Sequence, residues 1–141
     1  MSDLYDDDIM LWSERQSELL RRLAAGEPVN ERPDWPNIIE EVESVGREQL
    51  HAVESLLFQA LVHMLRAESW QQSRDAENWQ ADARGFRVQA RRRFAASMRQ
   101  NINITGIYAD ALQALPTMMD GQPPQPVSPT CPMTLDELLS G

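Results

Sequence analysis

The sequence predicts an all-α protein, a compact bundle of about four helices with one long central helix, and three observations carry that expectation. Apolar residues recur at three- and four-residue spacing in four successive stretches. No stretch sustains the alternation of apolar and polar residues that a strand requires. Acidic capping residues precede the first two stretches, and glycine or proline punctuates the ends. After the bundle core, placed at about 4–120, come a proline-rich extended tail over 121–133 and a short helical turn over 134–140.

The first helix is expected from about Asp7 to Ala25. Tyr5, Ile9, Trp12, Leu19 and Leu23 share one arc, Asp6 to Asp8 suit the positive end of the helix dipole, and Gly26 with Pro28 closes the element. The second follows RPDWPNII, with Asp34 as N-cap and Pro36 in the first turn, and runs to about Ala67. Its expected buried stripe is Ile39, Val42, Gly46, Leu50, Val53, Leu57, Ala60, Leu61 and Met64. A helix of that span is about 45 Å long at ~1.5 Å per residue. The third, from about Trp79 to Arg99, turns Trp79, Ala83, Phe86, Ala90 and Phe94 inward. The fourth, from about Thr105 to Met119, contains Pro116, which must end or kink it. GQPPQPVSP then reads as extended chain, of the kind that lies along its own bundle, and Thr134 with Glu137 forms a capping box for TLDELL.

At 141 residues the chain has the size of one domain, and a single helical domain over 1–141 is expected. Its 42% hydrophobic and 25% charged residues place it with soluble globular chains. No apolar run approaches the roughly 20 residues of a spanning helix, and the acidic MSDLYDDD is unlike a signal peptide, so no membrane role and a cytoplasmic location are expected. The one cysteine, Cys131, rules out an intrachain disulfide framework or a Cys-rich zinc site. A net charge of −9 disfavours nucleic acid and anionic lipid as partners. The charge is uneven, however. Between Gln80 and Gln100 six arginines oppose one acid, Asp82, a local +5 that leaves −14 for the rest.

Several polar residues invite a chemical reading. Glu48 and His51 have the Glu-x-x-His spacing of di-iron bundles, but both fall well off the apolar stripe, and no second such pair occurs. His63 lies about 18 Å further along the helix, too far for a shared ion. No metal site and no cofactor are therefore expected. Glu43 falls inside the apolar arc, where a carboxylate is costly unless paired, and Arg47 is its nearest partner. Glu40, Glu43, Arg47 and Glu54, with His63 at the margin, form the expected polar seam or ligand-pocket lining. Gly46, on the same buried face, suggests that another element needs the room. Arg84, Arg87 and Arg91 share one face of the third helix, suited to neutralising acidic helices or to binding an acidic ligand. No nucleophile motif and no phosphate loop occurs, so no catalytic residue is assigned.

The motifs LYDDDIMLW, W-x(2)-I-I-E-E-V-E-S-V-G-R ending in L-x-H-M-L-R, Trp79 and CPMTLDELL occur in an order that resembles the DUF29 family of bacterial proteins. The resemblance spans nearly the whole chain. It implies a compact α-helical protein and carries no activity, cofactor or catalytic residue. The expected function is a non-catalytic binding or regulatory module with an unknown protein partner or self-association. Two alternatives stand beside it: an enzyme or metal-dependent protein whose Glu and His residues converge on folding, and a binder of acidic or phosphorylated ligands, or of nucleic acid, through the arginine-rich third helix.

Overall fold

The computed structural model describes residues 3–140. Among these residues six α-helices follow one another: α1 (Leu4–Asp7), α2 (Ile9–Ala24), α3 (Trp35–Ser69), α4 (Ala76–Arg93), α5 (Ile104–Gln113) and α6 (Leu135–Ser140), with a 3-10 turn at Ala96–Met98. Among the described residues there is no β-strand, only an isolated bridge between Met119 and Gln122. The chain divides into two compact units, Met1–Arg47 and Glu48–Gly141.

In the first unit the aspartate run divides what the periodicity reads as one helix. Asp8 leaves helical geometry, at φ −152° and ψ 84°, and its carboxylate accepts the Leu11 amide as the cap of α2. Asp3 caps α1 by accepting the Tyr5 amide. At the other end of α2, Gly26 adopts φ +80°, and the Glu27 and Gly26 amides donate to the carbonyls of Arg22 and Leu23. That pairing needs a left-handed residue, which glycine supplies without a Cβ clash. Burial is thin here. Trp12 and Leu19 are the buried large residues of α2, whereas Ile9 and Leu23, expected inward, are exposed.

The second unit holds the larger core. Val53, Leu57, Leu61, Val62 and Leu65 of α3 pack with Ala90 of α4, Tyr108 and Ala111 of α5, and Leu138 and Leu139 of α6. The Trp70 indole, just past α3, donates to the Gln122 carbonyl at 3.0 Å, and the Gln125 amide donates to the Ser69 carbonyl at 2.8 Å. Helix α4 starts a turn earlier than its apolar pattern and stops at Arg93, where Phe94 turns extended at ψ 134°. Asn103 caps α5 through the Gly106 amide, and a Cβ on Gly106 would stand 2.8 Å from the Asn103 amide nitrogen. Helix α5 ends at Gln113, short of Met119, because Pro116 disfavours helical backbone in the residue before it.

Asp120 and Gly121 then take φ +51° and +76°, and Met119 and Gln122 exchange both backbone bonds at 2.9 Å. Two successive positive φ values define the tight turn that favours an Asp-Gly pair. Residues 123–133 carry neither helix nor strand. The Tyr108 hydroxyl donates to the Ser128 carbonyl at 2.6 Å, while Val127, Cys131 and Met133 pack against the core. The Cys131 thiol donates to the Met133 carbonyl at 3.2 Å. The Thr134 and Glu137 capping box is present, each side chain accepting the other's amide at 3.1 Å.

Candidate interaction surface on the long helix

The start of α3 is oriented by a set of polar contacts to α1 and α2. Asp34 accepts from the Trp12 indole at 2.9 Å and from the Asn37 amide at 2.8 Å, while its own backbone amide donates to Gln16. The Asn37 bond first, and the Trp12 bond second, hold the Asp34 carboxyl below its ordinary pKa. Two turns beyond Asp34 on the same side, Glu41 accepts the Tyr5 hydroxyl. That hydrogen bond, then burial and the Glu41 charge, pushes the phenol up to about 12. Tyr5 in turn meets Trp12 edge-on, with ring centroids 4.9 Å apart.

These contacts occupy the face of α3 that carries Asp34, Asn37 and Glu41. The apolar stripe lies on another face. Trp35, Ile39 and Val42, spaced by four and three residues, are 40%, 53% and 69% exposed, and Val45 beside them is 60% exposed. The expectation that the stripe is buried throughout is therefore corrected: it is covered from Val53 onward and bare from Trp35 to Gly46. Hydrophobic periodicity reports that a face is fit for burial, and α2 packs elsewhere on this part of the helix. Gly46 is corrected with it, since a Cβ there would meet nothing within 4 Å.

The expected polar seam separates into parts. Arg47 pairs with Glu40 at 2.7 Å and reaches Glu43 at 4.0 Å, and all three side chains are at least half exposed. Glu43 thus lies on the surface, not in the core, because the arc that contains it is uncovered. Glu54 is half-buried and, with His51, Ser55, Phe58, Ile107 and Asp110, borders a shallow hollow of about 330 Å³. Glu48 and His51 are exposed. His63 is half-buried, its Nδ1 2.8 Å from the Gln59 carbonyl, its Nε2 4.0 Å from Asp82, and its ring 5.2 Å from that of Phe86. A carbonyl can only accept, so Nδ1 carries the proton. Among the described residues no group of three or more His, Cys, Asp or Glu stands close enough to hold one ion.

The arginine face divides in the same way. Arg84 and Arg91 are exposed. Arg87 instead donates from Nε to the Leu138 carbonyl and from Nη2 to the Glu137 carbonyl, both at 2.9 Å, closing the last turn of α6. Arg99 assists by pairing with Asp136 at 2.6 Å while lying 5.3 Å from the Phe94 ring centroid. Sequence reasoning had no access to this role, because the accepting carbonyls lie some fifty residues away. A wider groove of about 860 Å³ runs between Trp70 and Arg74 on one side and Gln122 to Pro126 on the other. Four glutamines and three prolines make up most of its lining, with Ser69, Ser73, Arg74 and Asp120 among the rest.

Among the described residues α-helices are the dominant regular element and no strand occurs, so the molecule belongs to the all-α class. Within that class the chain is a member of the family described as domain of unknown function DUF29, whose model matches residues 4–141. It is similar to the crystal structure of an alpha-helical protein of unknown function from Rhodospirillum rubrum ATCC 11170, with 22% identity and a TM-score of 0.63. The match covers 99% of this chain and 90% of that one, and at this identity it speaks to the fold alone. No curated protein matches the sequence. Among the described residues no helix is long and apolar enough to cross a membrane.

Proposed function

We propose that this protein works by binding, as a non-catalytic interaction module whose contact surface is the bare stripe of α3. One observation carries the reading: Trp35, Ile39, Val42 and Val45 stand 40% to 69% exposed in a row on one helix. Single exposed apolar residues are ordinary on a protein surface, but a contiguous row rimmed by charged side chains is the pattern of a docking site. Glu43 stands at that rim on one edge, with Arg47, 4.0 Å from it, beyond. The helix beneath is anchored through Asp34 and Glu41 on a different side, so the stripe is presented on a preorganised element.

The test compares immobilised wild-type chain with Ile39→Asp/Val42→Asp. The expected result is a protein, either this chain itself or another, that mass spectrometry identifies and that rebinds in purified form to the wild type only. Equal binding to both surfaces, or none to either, overturns the proposal.

A further inference from the structure

We infer that the groove between the end of α3 and the stretch over 119–126 binds a short peptide whose two ends are both free. The groove lies wholly within the second unit. Hydrogen bonds fix its walls: the Trp70 indole donates to the Gln122 carbonyl at 3.0 Å, the Gln125 amide donates to the Ser69 carbonyl at 2.8 Å, and Met119 and Gln122 exchange two bonds at 2.9 Å. A concavity of about 860 Å³ held in this way has ligand size before any ligand arrives.

Ser69 is the residue that points to a ligand. It lines the groove, it is 1% exposed, and its Oγ has no hydrogen-bond partner. A helical serine can return its hydroxyl to a carbonyl one turn back, and a buried hydroxyl left without any partner costs stability. Alanine would fill the same space without that cost. A polar atom of a ligand seated in the groove supplies the missing bond.

The rest of the lining selects the ligand's chemistry. Gln71, Gln72, Gln122 and Gln125 each carry an amide that both donates and accepts, which complements the N–H and C=O of a peptide unit. Charge narrows the class further. Arg74 and Asp120 are the charged residues of the lining, and neither takes part in an ion pair among the described residues. One cation and one anion match one carboxylate and one ammonium. A phosphorylated ligand would bring extra negative charge against Asp120, and a neutral sugar would leave both ions unanswered. Helix α3 also ends at Ser69, so its negative pole favours the ammonium and N–H groups of a peptide over a second acid.

Proton–nitrogen correlation spectra of the full chain titrated with trialanine test the inference. The expected result is a saturable shift of the Trp70 indole N–H and of glutamine side-chain amides, with a Kd on the order of 1 mM for so small a ligand. N-acetylation and C-amidation of the peptide each weaken binding at least fivefold, and so do Arg74→Ala and Asp120→Asn. Asparagine tolerates the φ of +51° at that position, so the second variant keeps its turn. Arg84→Ala, at an exposed position outside the lining, binds as the wild type does. Ser69→Ala weakens binding while its urea midpoint stays at or above that of the wild type, a combination that a serine with a purely structural role would not give. No shift with trialanine up to about 20 mM, inorganic phosphate binding as tightly as the peptide, or equal binding of a peptide blocked at both ends overturns the inference. Loss on amidation without loss on acetylation assigns the groove to the carboxyl end of a longer chain and overturns the free-peptide assignment. The bare stripe of α3 contributes no residue to the groove, so this result and that of the docking test are independent.

Discussion

Replacing Arg87 by alanine separates a structural arginine from a surface one. Its Nε bond to the Leu138 carbonyl is partly buried, and its Nη2 bond to the Glu137 carbonyl is exposed, both at 2.9 Å. A hydrogen bond with one charged partner contributes about 1.5–3 kcal/mol when shielded and a fraction of that in water. We take about 2 kcal/mol for the first and about 0.5 kcal/mol for the second, so Arg87→Ala costs about 2–3 kcal/mol. The carbonyls belong to the last turn of a six-residue helix, which has too few internal bonds to persist unaided, and that helix brings Leu138 and Leu139 into the core. Arg84→Ala and Arg91→Ala, at exposed positions, stay within about 0.5 kcal/mol. Urea unfolding followed by circular dichroism reads the difference: with a slope of about 1.5 kcal/mol per molar, the Arg87→Ala midpoint falls by roughly 1.5 M. Arg87→Lys recovers less than half of the loss, because an ammonium cannot reproduce the two-pronged geometry. Equal midpoints for Arg87→Ala and Arg84→Ala, or full rescue by lysine, would refute the clamp.

Leu57 is fully buried, so Leu57→Ala costs about 2–5 kcal/mol in the same assay, whereas Ile39→Ala, at a 53% exposed position, stays within about 0.5 kcal/mol in dilute solution. Gly121 holds φ +76°, and Gly121→Ala costs about 1–2 kcal/mol by placing a Cβ in left-handed backbone. Tyr5 makes stability sensitive to alkali. Its phenol titrates near 10 when unfolded and is pushed up to about 12 in the fold, so its contribution is fully present below pH 10 and is lost as pH rises through about 12. In a Tyr108→Phe background, phenolate absorbance shows that late titration, and Glu41→Gln brings it back toward 10. An unshifted midpoint in the parent would dismiss the Glu41 contact.

Where one local rule governs an element, the sequence reads true. The Thr134 and Glu137 box, the stop before Pro116 and the Gly26 terminus each depend on residues within a turn of one another. Boundaries set by competition are less legible. Asp6 to Asp8 look like one capping run, yet only the backbone of Asp8 breaks, giving two helices where the apolar spacing shows one. Periodicity also marked Ile39, Val42 and Gly46 as interior on the strength of the same rows that bury Val53, Leu57 and Leu61, because a helix face carries no sign of which neighbour covers it. Glu43 inherited that error and turned out to be a surface acid. Spacing groups Arg87 with Arg84 and Arg91, but its partners are backbone carbonyls, which no side-chain pattern encodes. The Asp120-Gly121 turn is missing from the sequence reading, which runs a helix up to Met119, although the dipeptide itself signals a turn.

Cys131 gives this chain an internal stopwatch. It is the molecule's lone thiol, half-buried, bonded to the Met133 carbonyl and seated against the core. Its packing and its hydrogen bond slow an alkylating reagent on the native chain, and labelling quickens whenever the stretch between the Asp120-Gly121 turn and α6 lifts. A change that loosens that stretch can thus be read as faster labelling in the native buffer, with neither denaturant nor an introduced probe.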